Sequence, residues 1–168
     1  RQGSPGIRMQ TFTEPTFEFK VLVDAFATYN FVELPAQPFI PVLAGPAVLY
    51  KAILPTGRRI GQAFKFGFKG EDKWGNPSHQ VNGRFMLQAS LPVRGLPAHL
   101  DVAAGQLSVA IDKLSVAEPG ELRITVRDAD GTVVCHSNPL RIPHEVELQP
   151  LWADLHAQSE ETIGTNSA

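Results

Sequence analysis

Apolar and polar residues alternate along most of this chain, in short runs punctuated by proline and glycine. Phe17, Phe19, Val21 and Val23 alternate with Glu18, Lys20, Leu22 and Asp24, which predicts a half-buried strand over 17–23. A second short strand is expected over 28–33. Four prolines, at 35, 38, 41 and 46, then interleave with Phe39, Ile40, Val42 and Leu43. Proline cannot donate to a central ladder, so 34–46 reads as an edge strand or an extended surface segment with its apolar residues tucked down. A proline-rich ligand motif fits less well, because such ligands are less apolar and lie in disordered tails. Residues 47–54 predict a strand closed by a turn at 55–58. The clearest alternation follows: Phe64, Phe66 and Phe68 against Lys65, Gly67 and Lys69. Three phenylalanines at period two are the core face of a strand rather than a stacking platform for bases or sugars.

The run Asp72-Lys73-Trp74-Gly75-Asn76-Pro77 ends that strand. Aspartate and asparagine bond their own backbone, Gly75 admits positive φ and Pro77 stiffens the exit, so a tight turn is expected. The phrase resembles the D-x-x-G-N-P turn of bacterial immunoglobulin-like and filamin-like repeats. Calcium is the functional rival here, with Glu71, Asp72 and Asn76 as its oxygen donors. Further strands are expected over 83–91, with Phe85, Leu87 and Ala89 on one face, and over 100–102 and 105–111. A turn at 115–120 leads to a hairpin of 121–127 with 132–136. Its loop carries Asp130-Gly131, a strong hairpin signal, and its inner face is Leu122, Ile124 and Val126. Cys135 falls in that hairpin as a small packed residue rather than a nucleophile. Residues 140–142 form a last short strand before a connector at 143–150.

Strands starting every roughly 8–15 residues with turns between them predict a mainly β, antiparallel, immunoglobulin-like sandwich with little helix. The faces at 17–23, 64–68, 85–89 and 122–126 are expected to meet in one core between two sheets.

Composition narrows the function classes. The chain has 168 residues, 43% of them hydrophobic and 19% charged, as in core-forming globular proteins. Fourteen prolines and fourteen glycines suit short strands and turns rather than long helices. The net charge of −2, with dispersed basic residues, gives no footprint for nucleic acid or for a polybasic membrane anchor. One cysteine allows no internal disulfide, and no run reaches the length of a membrane span. A cytoplasmic location is the expectation.

The remaining chemistry sits at the end of the chain, in LWADLHAQSEETIGTNSA over 151–168. Asp154, His156 and Gln158 alternate, so on an extended strand they share a face, and Glu160 and Glu161 follow at once. Carboxylates beside an imidazole at a strand end suit a divalent metal. The segment resembles the opening motif of the polymerase-and-histidinol-phosphatase (PHP) class of metal-dependent hydrolases, whose first strand ends in Asp-Leu-His-x-His. Residues 152–165 are more narrowly similar to a bacterial branch of that class reading W-x-D-L-H-x-Q-S-x-E-T-I-G-T.

The resemblance implies that His156 is a metal ligand. It also makes Asp154 a ligand or the group orienting an imidazole. Gln158 stands at the second histidine position, and Glu160 and Glu161 offer further carboxylates. It implies zinc or manganese in a full-length parent, hydrolysis of a phosphoester or another hydrolysable bond in a small-molecule substrate, and an α/β barrel of which this chain holds only the first strand. The chain starts at Arg1 and ends on the motif, so it is expected to be a fragment: a loose leader at 1–14, a β-sandwich at 15–148 (with 15–57 as an optional wrapping segment), and the start of a catalytic domain at 149–168. The fragment alone is expected to hold no metal tightly and to hydrolyse nothing, its partner being the rest of the catalytic domain. The alternative is an immunoglobulin-like binding or spacer module that does no chemistry.

Overall fold

The structure, a computed structural model, describes Gly6 and residues 8–144. All regular elements among the described residues are β-strands, paired antiparallel within their sheets. No helix there is long and apolar enough to cross a membrane.

The first four strands form an arm. β1 (Glu14–Glu18) pairs with β4 (Phe39–Val42), and β2 (Leu22–Val23) pairs with β3 (Val32–Glu33), so that one long hairpin runs out to a tip at 24–31. Phe17 lies opposite Ile40 and Val23 opposite Val32, while the Phe19 amide bonds the Pro38 carbonyl and the Leu34 amide bonds that of Val21. The extra residues on the returning strand are absorbed at Gln37, whose Oε1 accepts the Val21 amide at 2.8 Å. Because the offset keeps the two-residue phase, these cross-strand pairs all fall on one face. Along these pairs the face is apolar, and Glu14, opposite Val42, adds a carboxylate at its root. The reverse face carries Glu18, Leu22, Phe39 and the Lys20–Glu33 ion pair.

The sandwich follows. One sheet is built from β5 (Leu49–Ile53), β6 (Phe64–Glu71) and β9 (Val109–Leu114), in the order β5-β6-β9. The other takes β7 (Gly83–Ala89), β8 (His99–Val102), β11 (Ile124–Arg127) and β12 (Val133–His136), in the order β12-β11-β7-β8. A further pair, β10 (Gly120–Leu122) with β13 (Leu140–Ile142), closes one end. Phe64, Phe66 and Phe68 turn inward as their spacing predicts, and so do Phe85, Leu122, Ile124 and Val126. The Phe68 and Phe85 rings, 4.9 Å apart between centroids, join the two sheets, and Tyr50 stacks on Phe68 at 5.8 Å. Close approach is also written into Gly70: a Cβ there would stand 2.5 Å from Val81 Cγ2 and 2.9 Å from the Ala47 Cβ.

Two expectations are corrected. The face at 17–23 does not enter the common core, because its strand pairs with the returning half of its own hairpin and with no sandwich strand. The strand expected over 105–111 lies at Val109–Leu114 instead: Gly105 takes φ 87° in a turn, and Lys113, at φ 61°, sits where the ladder with β6 shifts register. The turn after Ile53 and the turn at 138–139 meet each other. Asn138 Oδ1 accepts the Leu54 amide at 2.8 Å and its Nδ2 donates to the Leu54 carbonyl at 2.8 Å, which pairs two loops as a strand would.

Candidate functional site

Asp154, His156, Gln158, Glu160 and Glu161 lie outside the described residues, and so does the expected first barrel strand. Among the described residues, no group of three or more His, Cys, Asp or Glu side chains is placed to hold a metal ion. Cys135 is half-buried against the core, and burial pushes its thiol up to about 11, so near neutral pH it stays protonated and unreactive. Its neighbour His136 faces outward, with Nδ1 3.0 Å from the Thr125 hydroxyl across the β11–β12 ladder.

The turn at 72–77 is structural. Asp72 Oδ1 accepts the amides of Trp74 (2.8 Å) and Asn76 (3.0 Å), and Oδ2 accepts the Gly45 amide (3.1 Å) and the Asn76 side-chain amide (3.0 Å). Those donors, the Asn76 side chain foremost, lower the Asp72 carboxyl from 3.8 to about 2. Both oxygens are occupied by N–H groups, which a calcium ion would have to displace. Asn76 goes further and ties down the root of the arm: its Nδ2 donates to the Thr11 carbonyl at 2.7 Å, and its Oδ1 accepts the Thr13 amide at 3.1 Å. Beside the turn, Glu71 is buried between Lys51 and Lys69, each 2.8 Å away, and these two ammonium groups hold its carboxyl below the usual range.

Two surface features remain. A shallow groove of about 530 Å³ crosses the outside of the β5-β6-β9 sheet, where Gly67 leaves a notch between Ile53 and Ala110. Its rim carries Arg58, Lys65 and Lys69, but Lys65 pairs with Asp112 at 3.1 Å and Lys69 with Glu71. The groove therefore offers little uncompensated charge to an anion.

The arm is the stronger feature. At its tip, Asp24 organises the loop: Oδ1 accepts the Thr28 amide (3.0 Å) and Oδ2 the Tyr29 amide (2.7 Å). The Thr28 amide is the largest of the influences that keep this carboxyl ionised below its ordinary range. Ala27 and Tyr29 are thereby held at φ 53° and 62°, a region that residues with a Cβ adopt reluctantly. The result presents Phe26 and Tyr29 to solvent, 86% and 90% exposed, with Phe31 at 59%. Sequence reasoning missed these rings because it expected a strand over 28–33, where the structure has one only at Val32–Glu33; the aromatics at 26, 29 and 31 were the available signal.

No family model matches the chain, and no curated protein matches it.

Proposed function

We propose that residues 8–144 are the non-catalytic, immunoglobulin-like accessory part of a PHP-like metal-dependent hydrolase, whose metal-binding edge begins at Asp154 and His156. The observation that carries this reading is the motif Asp154-Leu155-His156-Ala157-Gln158-Ser159, reached soon after the last sandwich strand ends at Ile142. The donor set fits in part. A neutral imidazole from His156 and a carboxylate from Asp154 suit zinc or manganese, while Gln158 is a poorer donor than the histidine whose place it takes. When bound, such a metal supplies an activated water and polarises the bond to be hydrolysed. His156 binds it, and Asp154 either binds it or fixes the imidazole's orientation. Glu160 and Glu161 are further carboxylates of the same segment.

The test is metal analysis and phosphoester hydrolysis by the full-length protein beside its His156→Ala variant. Metal content and activity fall together in the variant while the sandwich melts unchanged. The 168-residue chain alone binds zinc or manganese weakly, because one imidazole and a few carboxylates on one segment do not complete a site. Full retention of metal and activity in His156→Ala overturns the reading. It would favour a binding or spacer module, to which the exposed aromatic tip of the arm already lends support.

A further inference from the structure

Asn82 is the one asparagine of this chain that glycine follows. It stands exposed in the link between the buried Val81 and Gly83, the first residue of β7. Among the described residues no hydrogen bond engages its side chain, so nothing there fixes the carboxamide. Two other asparagines differ on every count. Asn76 bonds Asp72 and Thr11, and Asn138 bonds Leu54 through both its oxygen and its nitrogen. Each of them is followed by proline, which has no N–H. Asn30 precedes Phe31, and a Cβ next to the amide nitrogen hinders attack by that nitrogen.

We propose that Asn82-Gly83 is a modification site at which the folded chain converts its own asparagine to a β-linked aspartyl residue. The Gly83 amide nitrogen attacks Asn82 Cγ. A bond forms between them, the bond from Cγ to Nδ2 breaks, and Nδ2 leaves as ammonia with the proton that Gly83 gives up. The product is a five-membered cyclic imide. Water then adds to one of its two carbonyls. Opening at Cγ leaves an ordinary aspartate, and opening at the main-chain carbonyl leaves the chain running through Cγ. One water is consumed and one ammonia released, with no oxidant and no metal.

The geometry at Gly83 suits this step. Its φ is 119°, and a Cβ built there meets nothing within 4 Å, so the nitrogen is approached through open space. Gly83 opens β7 and pairs with Val102, the residue that ends β8, so the two stand at the end of their ladder. Opening at a ladder end takes far less free energy than global unfolding, and it releases the Gly83 nitrogen while the core stays closed.

The product has a structural consequence. Val81 packs so closely on Gly70 that a Cβ at Gly70 would stand 2.5 Å from Val81 Cγ2. Two residues past Gly83, Phe85 is fixed against Phe68. A β-linked residue adds one methylene to the main chain between these two anchors. Either Val81 leaves its seat or the start of β7 shifts, and a close-packed core tolerates neither without loss. The proposal stands independently of the hydrolase reading.

The test is incubation of the whole 168-residue chain at mildly alkaline pH, followed by peptide mapping that reads each asparagine separately. Asn82→Gln, Asn82→Asp and the urea-unfolded wild-type chain run beside it. In the folded chain Asn82 loses its amide ahead of Asn30, while Asn76 and Asn138 keep theirs. A protease that cuts before aspartate leaves the main product uncut at 82, which marks the β-linkage. The aged wild-type chain melts at a lower temperature than fresh protein. Aged Asn82→Gln shows no such drop, and fresh Asn82→Asp melts as the wild type does, so that the linkage and not the charge is responsible. An Asn82 that stays intact in the folded chain while it converts in urea overturns the proposal. So does conversion at Asn30 ahead of Asn82, or a β-linked product that leaves the melt unchanged.

Discussion

Two stripes in this protein share one sequence pattern and meet opposite fates. Phe64, Phe66 and Phe68 alternate with lysine and glycine on β6, and all three rings are buried, Phe66 completely. Phe17, Phe19, Val21 and Val23 alternate with charged residues and leucine on the arm, yet the first three are only half-buried and Val23 is exposed. The difference lies in what faces each stripe. β6 has neighbours on both edges and a second sheet across the core, whereas the arm strand has one neighbour, the returning half of its own hairpin. Periodicity states that a face requires cover, but the cover is a long-range fact that no local window contains.

The largest effect expected from this contrast comes from truncating one ring in each stripe. Phe66→Ala should destabilise the sandwich by about 3–5 kcal/mol, because it opens a cavity in a core with no route to collapse. Phe19→Ala, an equal truncation in the arm, should change sandwich unfolding by about 0.5 kcal/mol or less, as for surface sites. Chemical denaturation of both variants checks the pair, and similar losses would place the arm inside the cooperative core.

A smaller effect sharpens the comparison where the two regions join. The folded carboxyl of Asp72 titrates at about 2, below its ordinary 3.8. A depressed folded value means that its contribution is fully present above the ordinary value and is lost as pH falls from 3.8 toward 2. Glu71, lowered by Lys51 and then Lys69, adds a loss of the same sign in acid. Asp72→Asn should therefore lower the melting temperature at neutral pH, by less than Phe66→Ala, and flatten the dependence between pH 4 and 2. It should also loosen the arm, since Asn76 would lose the carboxylate that orients it toward Thr11 and Thr13. Melts at several pH values, with arm amides followed by NMR, check both consequences.

Much of the sandwich was legible in the sequence, and for local reasons. The inward phenylalanines of β6, the inner face Leu122, Ile124 and Val126, and the Asp128–Gly131 hairpin each follow from spacing or turn chemistry within a dozen or so residues. Arg123 shows where such reasoning stops. One continuous alternating stretch is divided there, so that β10 pairs with β13 while β11 pairs with β12 and β7. Asn76 shows the same at the turn: its local role was visible, but its grip on Thr11 and Thr13 depends on a segment far away in the chain. For the terminal motif, the residue types of Asp154 and His156 are readable and suggest a metal edge. The remaining ligands of such a site would come from other elements, which spacing within the motif cannot supply.

The central claim is that the sandwich closes its own core while the arm strands lie outside that core. Amide hydrogen exchange of the 168-residue chain tests it most directly, because the ladder amides of Phe19 and Leu34 report the arm and those of Phe66 and Val126 the sandwich. Phe19 and Leu34 should exchange through local opening, well ahead of Phe66 and Val126, which should exchange only on global unfolding. Protection of the arm equal to that of the sandwich would contradict the account.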